Sequence, residues 1–369
     1  VVLMLVTCEV ATRLFARVPR DVSMRDPLIG RRFEPGLNEF VYNAEIDAPV
    51  LLRTNRWGFR GEDVSEEKPA GVRRVAVLGD SYTAAMALEE DQTFCGRLEQ
   101  LLNKSSSDGA AWQVLNFGIF GSGTGQELAL YRHLVRDLQP DIVIVAFGNA
   151  TDLRDNSAEL STNPIIQFAI GDSGRPERIP QSAERIRLSN LLNNTSRFYT
   201  WQKMKSKSLK LLWQQKADVE RGRTLIYSPD EPPAYARAWE LTTALFQTFR
   251  DECRDNGSQF MVAAIPSAYQ VYADHFAELQ AEVSGDQNLD PLHPDRRLET
   301  ACRSLGIPFL SLAPTFRSHA PSGSCQTESE QLFIHGKGHL NERGSRLAAQ
   351  EMSAWLTETQ VAAVSREQI

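Results

Sequence analysis

The chain has 369 residues, enough for one large domain or two ordinary ones. Hydrophobic residues make up 42% and charged residues 24%, the balance of a soluble globular protein. A net charge of −7 argues against a nucleic-acid binder, which needs a basic face. The five cysteines (Cys8, Cys95, Cys253, Cys302, Cys325) show no CxxC pair and no metal-ligand spacing, and neither demand nor exclude an oxidising compartment; the sequence implies no metal or organic cofactor. Cys253 and Cys302 fall on expected helices and read as buried thiols.

Residues 1–6 are almost wholly apolar, Thr7-Cys8-Glu9 interrupts them, and Arg13, Arg17 and Arg20 follow. As written, the run is too short to span a bilayer. Residues 1–20 are read as the tail of a signal anchor, which would attach the protein to a membrane and place it outside the cytoplasm. The competing reading is an amphipathic helix packed on the domain.

Residues 21–72 hold Pro27, Pro35, Gly36, Pro49 and Pro69 and little helical periodicity, which predicts an extended lead-in with short strands. Within it, Asn55-Arg56-Trp57-Gly58-Phe59-Arg60-Gly61 places two glycines around an aromatic ring. This is expected to clasp the main domain; a ligand contact by Arg56 or Arg60 is the alternative.

An α/β rhythm starts with Val75-Ala76-Val77-Leu78-Gly79, a continuous apolar run of the kind that forms a buried parallel strand. It stops at Asp80-Ser81. Phe94, Leu98, Leu101 and Leu102 then recur at helical spacing. Residues 112–117 predict a second strand, followed by a glycine-rich turn over 118–125. Leu128, Tyr131, Leu134, Val135 and Leu138 predict one helix that Pro140 stops. Residues 141–147 predict the third strand.

Residues 156–232 break the rhythm and read as an insertion, with a helix around Phe198, Trp201, Met204, Leu211 and Leu212. Lys203, Lys205, Lys207 and Lys210 lie along it. They read as a solvated face, with a cap over the site or a patch for an anionic surface as the sharper alternative. Trp239, Thr242, Phe246, Phe249 and Cys253 then predict a long helix ending at Gly257. A fourth strand over 260–265, a helix closed by Gly306, a fifth strand over 307–312 and a last helix over 342–356 follow. Strands alternating with helices predict about five parallel strands with helices on both faces, a flavodoxin-like doubly wound sheet.

Ligands of such sheets bind outside the carboxyl ends of the strands, which is where Ser81 falls. A serine hydroxyl is a weak nucleophile until a base takes its proton. Of six histidines, His339 has the best context for that base, on the glycine-rich turn Gly336-Lys337-Gly338-His339 before the last helix. His133 falls on a helix face, and His335 has no obvious partner. Gly121 can bring a bare backbone amide to an oxyanion, and Asn149 can offer a side-chain amide.

Gly79-Asp80-Ser81, Asn116-Phe117-Gly118-Ile119-Phe120-Gly121, Phe147-Gly148-Asn149 and Gly338-His339-Leu340-Asn341 occur in one order. In this the chain resembles the SGNH/GDSL hydrolases over most of residues 50–358. It is similar to the bacterial branch whose members often accompany extracellular polysaccharide genes. The resemblance implies an SGNH hydrolase-like domain over 73–358 and a tail over 359–369. It implies Ser81 as nucleophile, His339 as base, and Ser81 N–H, Gly121 N–H and a third-block side chain as oxyanion donors. Asp80 would shape the turn.

Two blocks depart from the family pattern. In the third, the chain reads Gly148-Asn149-Ala150-Thr151-Asp152 where the family has Gly-Asn-Asp, so Asn149 and Thr151 compete for the donor position, with Asn149 preferred for its reach. Upstream of His339, Gly336 and Lys337 stand where the family has an orienting Asp. Either a backbone carbonyl orients the imidazole, as a dyad, or a carboxylate such as Glu342 or one from the insertion does, or the site is weakened. Three functions follow from the resemblance: an esterase removing O-acyl groups, those of carbohydrate among them; an acyltransferase using the same acyl-serine; or a polysaccharide-binding or assembly protein with a degraded site.

Overall fold

The computed structural model describes residues 2–15, 21–106, 109–149, 151–161, 166–180, 188, 190–192, 195–213, 224–282, 288–321, 330–336 and 338–367. In chain order the strands are β1 (Ser23–Asp26), β2 (Gly30–Phe33), β3 (Asn38–Asn43), β4 (Ala48–Arg53), β5 (Val72–Gly79), β6 (Ala111–Gly118), β7 (Ile142–Gly148), β8 (Phe168–Ile170), β9 (Pro176–Arg178), β10 (Gln259–Ile265) and β11 (Phe309–Ser311). The helices are α1 (Val2–Phe15), α2 (Ser81–Ala84), α3 (Phe94–Ser105), α4 (Thr124–His133), α5 (Asp152–Asn156), α6 (Arg197–Trp213), α7 (Pro233–Asp255), α8 (Ala268–Val271), α9 (Ala273–Glu282), α10 (His293–Leu305), α11 (Ala313–His319) and α12 (Glu342–Glu367).

Five strands form one parallel sheet in the order β6-β5-β7-β10-β11. Counted within the sheet this is 2-1-3-4-5, the flavodoxin-like order, and the chain reverses direction of growth between β5 and β7. Alternate residues serve opposite faces, as strand geometry requires. Ala76, Leu78, Val143, Val145, Val262 and Ala264 join one core with α4, α7 and α10. Val75, Val77, Ile142, Ile144, Met261 and Ala263 join the other with α3, α11 and α12. Both faces are therefore buried, which is why these strands read as unbroken apolar runs. Cys253 and Cys302 are fully buried and their thiols are pushed up to about 12. Cys325, Lys337 and Ala150 lie outside the described residues.

Two helices differ from their predictions: the last, expected over 342–356 with a tail after it, runs on to Glu367. The run over 124–138 is a helix only as far as His133; Leu134 leaves helical geometry (φ −147°), and a 3-10 turn over Val135–Leu138 ends at Gln139 in the left-handed region. The inward residues keep their spacing because a tighter turn preserves roughly the same face.

The lead-in makes two antiparallel hairpins, β1–β2 and β3–β4. Val22, Phe33 and Leu52 from it pack with Ala84 and Ile119 in a small third core, beside the turn that carries Ser81. Asn55 Oδ1 accepts from Trp57 N and Phe59 N, both at 3.1 Å. Gly58 has φ +79°, and a Cβ there would lie 2.2 Å from the Phe33 carbonyl. Phe59 is fully buried, edge-on to Phe117 at 5.2 Å. Arg60, also buried, donates to the carbonyls of Ala84 (3.1 Å), Ala85 (2.6 Å) and Leu88 (2.7 Å). The motif over 55–61 thus clasps the carboxyl end of α2, and Arg56 lies over the Trp57 ring at 4.2 Å.

At the amino terminus, α1 packs on α6 through a carboxylate. Glu9 accepts from Ser196 Oγ (2.8 Å), Arg197 N (3.0 Å) and Phe198 N (3.0 Å) at the start of α6. Burial opposes the charged form, but these donors and Arg13 hold Glu9 down to about 2. Leu3, Met4, Leu5, Val6, Val10, Leu14 and Phe15 face outward. Among the described residues no helix is long and apolar enough to cross a membrane. On α6, Lys203 and Lys205 are exposed, and Lys203 pairs with Asp21 at 3.6 Å.

Candidate active site

Ser81 is the first residue of α2, immediately beyond β5, at the position where the sheet's order reverses. The turn is tight because Asp80 caps the helix, its Oδ1 accepting from Tyr82 N at 2.8 Å. Asp80 Oδ2 accepts from Thr151 Oγ1 at 2.6 Å, which ties the end of β5 to the loop after β7. The start of the second block is joined to the same turn, since Asn116 Nδ2 donates to the Thr83 carbonyl at 2.9 Å.

His339 arrives from the far end of the chain. Its loop is folded back by Ile334 N–H donating to the His339 carbonyl (2.8 Å) and by the bridge between Phe333 and Leu340. The Tyr82 ring meets the imidazole edge-on, centroids 5.1 Å apart. His339 Nε2 is 2.8 Å from Ser81 Oγ, hydrogen-bonding reach for a base and its nucleophile.

The other ring nitrogen has a carboxylate partner that sequence reasoning missed. Glu45, in the turn between β3 and β4, places Oε2 2.7 Å from His339 Nδ1 and accepts from His339 N at Oε1, 2.8 Å. The turn is held by more than this pair. Asn43 Oδ1 accepts from Glu45 N at 2.8 Å. His335, itself in the left-handed region (φ 48°), donates from Nε2 to the Glu45 carbonyl at 2.8 Å. His335 therefore has a partner after all. Glu342, the carboxylate considered from sequence, is turned to Arg97 at 2.5 Å. The signal available in the sequence was Gly338, because a glycine beside the histidine leaves room for an acid to come from elsewhere.

The charges respond to this pairing. For His339, burial disfavours the imidazolium, but the hydrogen bond and charge of Glu45, with the charge of Asp80, outweigh it and raise the group above its ordinary value. For Glu45, burial works upward, and the bonds to His339 bring it below the ordinary carboxylate value. Beneath the turn, burial raises Asp80, and burial together with mutual repulsion raises Glu127 and Asp152 well above the carboxylate range. Burial likewise lifts Asp155 to about 6.

The two oxyanion candidates sit differently. Gly121 (φ +70°) lies in the turn after β6, where Arg31 Nη1 donates to the Phe120 carbonyl at 3.0 Å and fixes the loop. Asn149 is fully buried, and its amide donates to Asp295 Oδ2 at 3.0 Å. Asp295 also takes bonds from Gln270 and Ser311, forming a polar knot under the ends of β7, β10 and β11. Asn149, preferred from sequence, thus has its amide engaged by Asp295, away from the surface of the site. Thr151, the other candidate, is part-exposed and directs its hydroxyl to Asp80.

No family model and no curated protein sequence matches the chain. Solved structures do resemble it. The acetyl xylan esterase AlAXEase is 13% identical, over 76% of this chain and 98% of its own, at a TM-score of 0.42. An acetylxylan esterase from Geobacillus stearothermophilus is 10% identical, over 77% and 93%, at 0.41. A lipolytic protein of the G-D-S-L family from Desulfitobacterium hafniense DCB-2 is 10% identical, over 76% and 98%, at 0.38. The chemistry of this chain is argued below from its own geometry.

Proposed function

We propose that the protein is a carboxylic ester hydrolase of the SGNH/GDSL type, removing O-acyl groups through an acyl-Ser81 intermediate. The observation that carries this reading is the Ser81 Oγ–His339 Nε2 hydrogen bond of 2.8 Å at the carboxyl edge of the sheet. In the first half-reaction Ser81 Oγ bonds to the ester carbonyl carbon as its proton passes to His339 Nε2. The negative charge that develops on the carbonyl oxygen is met by the N–H groups of Ser81 and Gly121. The imidazolium then gives its proton to the departing alcohol oxygen as the ester C–O bond breaks. In the second half His339 Nε2 takes a proton from water as the water oxygen bonds to the acyl carbon; the acyl C–Oγ bond then breaks, the imidazolium returns its proton to Ser81 Oγ, and the carboxylic acid leaves.

The acyl group is proposed to be small, such as acetyl, on a carbohydrate outside the cytoplasm; these finer points rest on the sequence resemblance. The test is release of p-nitrophenol from p-nitrophenyl acetate by wild type beside Ser81→Ala. Equal rates would sink the proposal. A Ser81-dependent rate that climbs when an oligosaccharide acceptor is added would favour acyl transfer over hydrolysis. Fluorophosphonate labelling of Ser81 reads activation of the serine without knowledge of the natural ester.

A further inference from the structure

We infer that Glu45 is the positioning residue of this site, and that the β3–β4 hairpin of the lead-in is consequently part of the catalytic machinery. The inference rests on the hydrolase reading above for its kinetic consequence, but on geometry alone for the assignment.

Four features of the chain converge on the one carboxylate. Glu45 Oε2 lies 2.7 Å from His339 Nδ1 while Nε2 of the same ring lies 2.8 Å from Ser81 Oγ, so the three side chains form a continuous hydrogen-bonded chain. Glu45 Oε1 accepts from the His339 backbone N–H at 2.8 Å, which fixes the loop as well as the ring. Gly338 leaves the space this requires, since a β-carbon there would stand 2.1 Å from Glu45 Oε1. His335 donates to the Glu45 carbonyl at 2.8 Å, holding the turn from the other side.

The chemistry follows from the contacts. A carboxylate accepts only, so it must be Nδ1 that carries the ring proton, which leaves Nε2 with a lone pair facing the serine hydroxyl. When Nε2 takes the serine proton, the resulting imidazolium faces a charge at 2.7 Å in a site partly screened from water. Glu45 does not touch the ester. It acts through His339, which is what separates a positioning residue from a catalytic one.

Glu45→Gln tests this, because it keeps shape and one acceptor and removes the charge and the second acceptor. Three readouts are taken on the full chain. NMR titration of the His339 imidazole is expected to show its pKa falling in Glu45→Gln. With p-nitrophenyl acetate, kcat is expected to fall roughly 10²- to 10⁴-fold with KM changed little, the pattern of a lost transition-state interaction. Glu45→Asp, one methylene shorter but still charged, is expected to recover part of kcat. An unchanged His339 titration together with wild-type kcat in Glu45→Gln would overturn the inference. Should wild type itself turn over no ester, the hydrolase reading falls, and the NMR titration still decides the assignment of Glu45.

Discussion

Gly338 and Glu45 compete for the same space, and the protein resolves the competition by having no side chain at 338. A β-carbon on Gly338 would sit 2.1 Å from Glu45 Oε1 and 3.0 Å from the Ile334 carbonyl. The first of these neighbours is the end of a flexible side chain that can swing away; the second is backbone. Gly338→Ala is therefore expected to cost only roughly 1 to 3 kcal/mol in stability. It should lower kcat by about 10²-fold, because a displacement near 1 Å at the orienting group misaligns the base. Urea unfolding and ester kinetics on one preparation check it. A variant with full kcat would show that the carboxylate need not occupy its observed place.

The pH profile should carry the mark of the Glu45 pair. His339 serves as base only when neutral, and its pKa is raised above the ordinary 6.5. Activity should thus be lost as pH falls through a value above 6.5, since the protonated ring has no lone pair for the serine proton. The acid limb of kcat/KM for p-nitrophenyl acetate reads this directly. An acid limb at or below the ordinary histidine value would contradict it.

Arg60 links the lead-in to the nucleophile turn, and its guanidinium is the donor to three carbonyls at and beyond the end of α2. Arg60→Met leaves those carbonyls buried without the donor. A loss of roughly 3 kcal/mol is expected, visible as a lower urea midpoint, together with slower fluorophosphonate labelling of Ser81. Arg60→Lys should restore little, because a single ammonium cannot span the three acceptors as a planar fork does.

The buried acids under the turn predict an unusual dependence of stability on pH. Asp80, Glu127 and Asp152 are all raised in the folded protein, and Asp155 is lifted to about 6 from 3.8. Each holds its proton more tightly folded than unfolded. Their contribution is therefore fully present below the unfolded carboxylate range and is lost as pH rises through the raised values. Glu127 is the member to change, because it is fully buried and both its carboxylate oxygens lack a hydrogen-bond partner among the described residues. Glu127→Gln cannot ionise, so its stability relative to wild type should improve more at pH 8 than at pH 5. Urea midpoints at the two values measure it, and parallel shifts at both would refute it.

Much of the fold could be read because both faces of the sheet are buried. Val75–Leu78 and Ile142–Phe147 had to be continuous apolar runs, and such runs are visible without any partner strand in view. Ser81 and His339 were legible because each sits at a break in pattern, one ending a strand and one on a glycine-rich turn. Glu45 was not legible. It is one of many acids, in a stretch without periodicity, and its partner lies 294 positions away. Asn149 shows the same limit: its adjacency to Gly148 suggested an oxyanion donor, while the Asp295 that holds its amide is 146 positions distant. Local spacing informs on what neighbours do, and both of these outcomes were decided by chain meeting chain at long range.

That 294-residue separation between Glu45 and His339 also bears on how the protein comes to be active. Contacts between distant parts of a chain must overcome the entropy of closing the intervening loop, and they form late when much of the intervening fold must first be in place. The hairpin that carries Glu45 is made 294 residues before the histidine it holds. On dilution from urea, helical signal should recover ahead of esterase activity, and the interval between the two would report the docking of one hairpin turn onto a nearly finished protein.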